Sequence, residues 1–114
     1  MSLSVVIPTK DEEKIFEVIS KLQEQEVNQI IVVDAESSSE GYKERLSQVE
    51  SVEHIVADAK PSKARNIGAE KAENDKIVFL DADCYPTEDW GEKMEQALEE
   101  YDLVEGKVTF TGER

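Results

Sequence analysis

The sequence contains a single cysteine, Cys84, among 114 residues. A disulfide within the chain is therefore excluded, as is usual for proteins of a reducing compartment. Long apolar runs are missing too, and none approaches the roughly 20 residues that a membrane-spanning helix needs. Residues 1–9 lack the basic start and the cleavage site of a signal peptide. These absences predict a cytoplasmic protein, either free or peripheral to a membrane.

Basic residues are scarce: 13 lysines and arginines stand against 27 aspartates and glutamates, for a formal net charge of -14. This balance argues against nucleic acid as a partner and against unassisted docking on anionic lipid. Much of the acidic excess falls on predicted helix faces, where charged side chains are ordinarily solvated. Since 39% of the residues are hydrophobic, the chain can still form the core of one folded domain.

Apolar runs alternate with amphipathic stretches along the chain. The predicted strands are 3–8, 29–33, 52–56, 76–80 and a more exposed fifth strand at 102–110. The predicted helices are 11–25, 39–49, 60–74 and 86–101. Ser62 and Thr87 are the predicted N-caps of the last two helices. The alternation predicts an α/β fold, namely a Rossmann-like three-layer sandwich with a mainly parallel sheet of about five strands, as one domain over residues 1–114.

Carboxylates follow several predicted strands at the edge where ligands of open parallel sheets bind. Asp34 follows the second strand, Asp58 the third, and Asp81 and Asp83 the fourth. Like charges gathered at one edge repel one another unless a cation or hydrogen-bond donors compensate them. On an extended backbone Asp81 and Asp83 would point the same way. The pattern predicts a hard divalent cation such as Mg²⁺, with substrate phosphates completing its coordination.

Basic side chains lie on the loops of the same edge and would suit those phosphates; they are Lys10, Lys60, Lys63 and Arg65. An arginine can hold a phosphate through two parallel hydrogen bonds. Each site residue also has an ordinary interpretation. The acids can end strands in polar turns or cap the next helix, and Arg65 can pair with a helix acid. A structural role is expected for the remaining conspicuous side chains, which are His54, Cys84 and Trp90.

Three blocks of the sequence resemble the nucleotide-binding half of family 2 glycosyltransferases of the GT-A fold. The blocks are SVVIPTKDEE, IIVVDAESSS and PSKARNIGAEKAENDKIVFLDADCYP. They occur in order and cover nearly the whole chain. The resemblance implies a metal-dependent, inverting enzyme that moves a sugar from a nucleoside-diphosphate sugar, linked to UDP or GDP, to an acceptor hydroxyl. The acceptor stays open, since a lipid phosphate and a glycan are both compatible with the family.

The resemblance also implies roles for individual residues. The residues implied in nucleotide binding are Pro8, Thr9, Glu12, Asp34, Lys63, Arg65 and Asp81. Asp34 would hydrogen-bond the base, in a loop where this chain has Ala35-Glu36 instead of the family's second acid and glycine. Asp81 and Asp83 match the family's D-x-D motif. Asp81 would contact the ribose or the metal, and Asp83 would coordinate Mg²⁺ or Mn²⁺.

The family's catalytic base lies beyond the D-x-D motif, in an acceptor-binding half that this chain does not include. We therefore name no catalytic residue, because no family motif surrounds the late acids Glu105 and Glu113. The chain ends in a predicted strand and turn without a closing helix. That ending predicts either an excerpt of something longer, here the N-terminal half of a catalytic domain, or a small domain completed by a partner. The oligomeric state is not readable, and a homo-oligomer is compatible with the sequence.

Other functions stay open beside the enzyme. The chain could be a non-catalytic module that holds a nucleotide sugar and needs a missing half or a partner. A receiver-type phosphoacceptor domain has similar length and alternation, but it gathers acids directly after its first strand, where this chain has Pro8-Thr9-Lys10. A sugar nucleotidyltransferase would need a glycine-rich loop after the first strand, and that loop is absent.

Overall fold

The computed structural model describes residues 3–25, 27–100 and 111–113. Strands and helices alternate, as predicted. In chain order they are β1 (Leu3–Thr9), α1 (Ile15–Gln23), β2 (Gln29–Ala35), α2 (Glu40–Ser47), β3 (Glu53–Ala57), α3 (Pro61–Lys71), β4 (Lys76–Phe79), β5 (Tyr85–Pro86), α4 (Trp90–Glu100) and β6 (Thr111–Glu113). The predicted α/β class is confirmed.

The main sheet has four parallel strands in the order β3-β2-β1-β4. β5 and β6 form a separate antiparallel pair. The fifth strand predicted at 102–110 lies outside the described residues. Strands β2 and β3 follow one another on one side of β1, whereas β4 lies on its other side. The strand order therefore switches between β1 and β4. A receiver domain has the order 2-1-3-4-5, and the observed order therefore excludes that alternative.

Helices cover both faces of the sheet, which gives the predicted three layers. Leu3, Val5 and Ile7 pack with the buried residues of α1, α2 and α4, whereas Val6 packs with α3 on the opposite face. Side chains alternate along a strand, so the continuous apolar run of β1 supplies both cores. Trp90 is fully buried in the first core, as expected. In the described part of the chain, no helix is long and apolar enough to cross a membrane.

Helix α3 lies unusually close to the sheet because its inner face carries Gly68. A Cβ atom added there would lie 2.3 Å from Cγ1 of Val6 and 3.3 Å from Cγ2 of Val33. Only glycine allows this approach without displacing the neighbouring side chains. The close packing fixes where the first two turns of α3 stand above the edge of the sheet.

The predicted helix starts were wrong in detail. α3 begins at Pro61 with Lys60 as its N-cap, not at Ser62. Proline suits the first helical position, since its φ is already helical and its missing N–H has no helical partner to lose. α4 begins at Trp90, beyond Thr87, whose hydroxyl instead donates to Oδ1 of Asp89 at 3.1 Å.

Candidate functional site

A cleft of about 390 Å³ opens at the carboxyl ends of the strands, beside the switch point and the start of α3. This size is within the usual range of small-molecule sites. One wall is apolar and includes Val33, Ala57 and Ala64. The polar side chains that line the cleft are those of Thr9, Lys10, Asp34, Ser37, Arg65 and Asp81. The edge predicted to bind the ligand is therefore the edge that carries the cleft.

The D-x-D acids lie on a turn that follows β4. The N–H of Cys84 donates to the carbonyl of Asp81 at 3.1 Å, so the backbone turns here. The extended backbone predicted for these two acids is therefore wrong. The turn nevertheless brings the two acids together. One carboxylate oxygen of Asp81, one of Asp83 and Sγ of Cys84 lie within 4.8 Å of one another.

This cluster fits a hard divalent cation. Asp81 and Asp83 are half-buried, so each can reach a ligand in the cleft while part of its surroundings is protein. Mg²⁺ and Mn²⁺ prefer carboxylate oxygens and commonly complete their coordination with water and substrate phosphates. Cys84 is fully buried, and its thiol lies 3.6 Å from Oδ1 of Asp83 as a weak hydrogen-bond donor. The two carboxylates therefore suffice as protein ligands.

Arg65 faces the first of these acids. It projects from the second turn of α3, and Nη2 lies 3.7 Å from Oδ1 of Asp81. Both side chains line the cleft and keep partial exposure, 23% for Arg65 and 31% for Asp81. The structure thus places the guanidinium predicted to bind phosphate directly beside the carboxylate predicted to bind metal.

Asp34 lies in the floor of the cleft, and its side chain is fully buried. Oδ1 accepts a hydrogen bond from the hydroxyl of Ser38 at 2.6 Å, and Oδ2 lies 2.9 Å from Nε2 of His54. A carboxylate can only accept, so Nε2 of His54 carries the hydrogen. The carboxylate is fixed by these two donors, and each oxygen retains a second lone pair for a ligand.

Tyr42 ties α2 to the loop after β1. Its hydroxyl donates to the carbonyl of Glu12 at 3.0 Å and lies 2.5 Å from Oγ1 of Thr9. Because the phenol has one hydrogen, already given to Glu12, the Thr9 hydroxyl must be the donor in the second bond. Burial raises the pKa of Tyr42 to about 12, against these two hydrogen bonds, which lower it. Thr9 can therefore only accept a hydrogen bond from a ligand.

A second tie joins the same loop to the start of α2. Asp11 has a positive φ of 49°, a conformation that aspartate tolerates better than most residues. Its carboxylate accepts from the N–H of Ser39 at 2.8 Å, and its own N–H donates to Oγ of Ser38 at 3.2 Å. Ser38 therefore connects the loop after β1 with Asp34 at the end of β2.

The structure brings most of the predicted nucleotide-binding residues together. The predicted residues that line the cleft are Pro8, Thr9, Asp34, Arg65 and Asp81. Glu12 and Lys63 lie outside the lining: the Glu12 carboxylate accepts from the N–H of Lys14 at 3.1 Å, and Lys63 is exposed on α3. Asp83 stands beside the lining, on the turn. Asp58, expected at the same edge, is exposed and does not line the cleft.

Sequence reasoning missed the side chains that support this site, namely Ser38, Tyr42 and His54. His54 was expected to be an ordinary strand residue. It pairs with Val32 across β2 and β3, which puts it on the same face of the sheet as Asp34. The contact between His54 and Asp34 follows only from the register of β2 against β3, which a single sequence does not define.

Residues 4–113 match the family model described as Glycosyl transferase family 2. The chain is similar to the glycosyltransferase AglE of Haloferax volcanii, with 30% identity over 122 residues, and the match covers 96% of this chain and 40% of that protein. The chain thus spans well under half the length of the curated relative that it matches.

Solved structures share the fold. TarS of S. aureus superposes with a TM-score of 0.73 at 22% identity, covering 90% of this chain and 33% of that one. TarS in complex with UDP-GlcNAc gives 0.73 at 23% identity, covering 90% and 32%. HddC from Yersinia pseudotuberculosis gives 0.64 at 17%, covering 87% and 55%. The resemblance read from three sequence blocks and the predicted Rossmann-like, GT-A-like fold are confirmed.

Proposed function

Because the chain belongs to glycosyl transferase family 2, we propose that it binds a nucleoside-diphosphate sugar for metal-dependent, inverting transfer of the sugar to an acceptor hydroxyl. The observation that carries the proposal is the meeting of Asp81, Asp83 and Arg65 at one side of the cleft. A cation held by carboxylates and a cationic donor beside it are a common means of binding a diphosphate, and this grouping suits both.

The nucleoside would lie over the ends of β1 and β2. Thr9 and Asp34 both offer acceptors there, which suits a base edge or a ribose that donates hydrogen bonds. The apolar wall of Ala57 and Ala64 offers a surface against which a base can pack. The likeness to a protein solved with UDP-GlcNAc supports a nucleotide sugar as the ligand class. We propose UDP or GDP as its nucleotide.

Asp83 and Asp81 would hold the cation, Mg²⁺ or Mn²⁺. When bound, such a cation supplies Lewis-acid stabilisation of the departing nucleoside diphosphate. Arg65 and Lys10 line the same cleft, and their positive charges would orient the diphosphate. The turn that joins β4 to Cys84 brings the two half-buried carboxylates together.

The described residues do not supply the whole reaction. Inverting transfer needs a carboxylate that takes the proton of the acceptor hydroxyl. Of the two acids that line the cleft, Asp34 is assigned to the nucleoside and Asp81 to the metal pair, so neither is left to act as this base. We propose that residues 1–114 are a single donor-binding domain and that the base and the acceptor site come from elsewhere in the protein. That part of the protein would also determine which acceptor is used, a lipid phosphate or a glycan.

Calorimetry tests the donor site. Metal-stripped protein is titrated with UDP and with GDP, first without a divalent cation and then with saturating Mn²⁺. We expect binding of one of the two nucleotides that depends on Mn²⁺. Failure of both to bind with Mn²⁺ present would contradict the proposal.

A second candidate, a non-catalytic nucleotide-sugar module, is kept open by the short span of the chain relative to AglE. A transfer assay separates the two functions. The 114-residue chain and the product of the complete reading frame are given the nucleotide sugar and candidate acceptors. Turnover by the complete product supports the enzyme, whereas nucleotide binding without turnover by either one supports the module.

A further inference from the structure

We infer that Arg65 competes with the metal ion for Asp81 and moves to the diphosphate when the nucleotide binds, so that this arginine couples the two ligands. The inference rests on the proposed function, and it adds a residue-level mechanism for the order in which the site fills. Without nucleotide, Arg65 would weaken metal binding. With nucleotide, the same side chain would strengthen the complex.

The ion pair between Arg65 and Asp81 is loose enough for Arg65 to leave Asp81 and bind the diphosphate. Its separation of 3.7 Å is longer than a hydrogen bond of good geometry, which spans about 2.7 to 3.2 Å. Both partners are partly exposed, at 23% and 31%, and ion pairs of this kind contribute little net stability. The close contact of Gly68 with Val6 holds the backbone of α3, so the exchange requires only rotation of the long arginine side chain.

A cation held by the acid pair would share a carboxylate with Arg65. Asp81 belongs both to the cluster with Asp83 and to the ion pair with Arg65. A guanidinium and a divalent cation at the same carboxylate repel each other. Metal binding is therefore expected to weaken the ion pair with Arg65, and this loss lowers the affinity for the metal.

A diphosphate removes this conflict. It offers Arg65 an anion with several oxygens, to which a guanidinium can form two parallel hydrogen bonds. It also neutralises part of the charge that the metal brings. By thermodynamic linkage, the factor by which the nucleotide raises the affinity for the metal equals the factor by which the metal raises the affinity for the nucleotide. Arg65 is expected to enlarge this single factor.

The test measures Mn²⁺ binding with no nucleotide present, by electron paramagnetic resonance of the free ion. Arg65→Met removes the charge and keeps an unbranched apolar chain in place of the arginine stem. Lys71→Met is the matched control, since Lys71 is exposed on the last turn of α3 and loses the same charge. We expect Arg65→Met to bind Mn²⁺ about threefold to tenfold more tightly than the parent, and Lys71→Met to bind like the parent.

The opposite sign is expected for the nucleotide. With saturating Mn²⁺, Arg65→Met should bind UDP or GDP, whichever the parent prefers, about 10- to 100-fold more weakly. Arg65→Lys should stay close to the parent for Mn²⁺ alone, because it keeps the competing charge. It should lose part of the nucleotide affinity, because an ammonium lacks the planar fork of arginine.

The outcomes separate the inference from the proposed function. Mn²⁺ binding that is unchanged or weaker in Arg65→Met, beside intact metal-dependent nucleotide binding by the parent, would overturn the inference alone. Equal tightening by Lys71→Met would also overturn it, since net charge would then be the cause. A parent that binds Mn²⁺ but neither nucleotide would contradict the proposed function, and competition at Asp81 would still show in the Mn²⁺ titration.

Discussion

The two ends of the parallel sheet are both polar, but their polar groups are partnered differently. At the amino ends, the Ser4 hydroxyl donates to Oε1 of Gln29 at 2.7 Å and accepts from Asn74 at 2.9 Å. Gln29 also accepts from the N–H of Glu73 at 2.8 Å and donates to Glu53 at 2.8 Å. Ser4 and Gln29 are buried, and this network satisfies their side chains within the protein.

At the carboxyl ends, the acidic side chains differ in how completely the protein itself hydrogen-bonds them. Asp34 is as enclosed as the amino-end network, with a donor on each oxygen. Asp81 and Asp83 are half-buried, and Asp81 faces Arg65 at 3.7 Å. Polar groups that complete one another stabilise a fold, whereas carboxylates left with loose partners at a cleft are available to a ligand. The difference predicts that substitutions at one end change stability and that those at the other change binding.

The largest effect is expected at the acid pair. Asp83→Asn should weaken Mn²⁺-dependent nucleotide binding by about 100-fold or more, because a metal site with two protein carboxylates loses the charge of one. The free energy of unfolding should stay within about 0.5 kcal/mol of the parent, since Asp83 is half-buried. Calorimetry with UDP or GDP and urea unfolding give the two numbers. Asp58→Asn, at an exposed acid outside the cleft, should change neither. Equal loss of binding in both variants would refute a specific metal role.

The amino-end network should show the reverse behaviour. Gln29→Leu would leave the Ser4 hydroxyl and the N–H of Glu73 without their buried acceptor, at a cost of about 2–4 kcal/mol in the free energy of unfolding. Nucleotide affinity of the folded protein should not change. Gln48→Leu is the control, because Gln48 is exposed at the end of α2. A Gln29 variant as stable as this control would show that the network contributes no stability.

Tyr42 lies at the carboxyl end but belongs with the enclosed groups, and alkaline pH tests this assignment. Its pKa is raised from 10.0 to about 12 by burial, so the unfolded chain releases the phenol proton first. The resulting stabilisation is complete below about pH 10 and is lost as the pH rises through about 12. The loss amounts to about 3 kcal/mol, since each pKa unit corresponds to about 1.4 kcal/mol. Urea unfolding across this range should show a steeper decline for the parent than for Tyr42→Phe. Parallel declines would contradict the assignment.

The sequence was sufficient for the features that depend on local pattern. Apolar runs separated by amphipathic stretches predicted the strands and the parallel sheet, because side-chain periodicity is a local property. Asp34, Asp81 and Arg65 could be placed at one edge because parallel strands all end on the same side. The D-x-D pair could be recognised because it follows a predicted strand and because the sequence blocks around it resemble those of the family.

Non-local packing decided what the sequence did not reveal. The contact of His54 with Asp34 depends on the register of β2 against β3, and that of Tyr42 with Thr9 depends on how α2 docks. Neither contact is set by residues close in sequence. Glu12 shows the converse, since it lies near the site in sequence while its carboxylate caps a neighbouring backbone N–H.

The smallest effect concerns the helix that carries Arg65, between the two ends of the sheet. Gly68→Ala would gain up to about 1 kcal/mol of helix propensity, but its Cβ would lie 2.3 Å from Cγ1 of Val6. Overpacking of this kind costs about 1–3 kcal/mol, so we expect a small net loss of stability.

Gly41→Ala is the matched control for this substitution, because a Cβ at Gly41 of α2 would meet nothing within 4 Å. This variant should gain about 0.5–1 kcal/mol. Adding Val6→Ala to Gly68→Ala removes the clashing methyl groups, so the double variant should be more stable than the sum of the single effects predicts. Urea unfolding of the parent, of Gly68→Ala and Val6→Ala alone, and of the double variant measures this coupling. Strict additivity would mean that the Cβ is accommodated by a shift of α3 away from the sheet. Arg65 would then move with the helix. A lower nucleotide affinity of Gly68→Ala would reveal this movement.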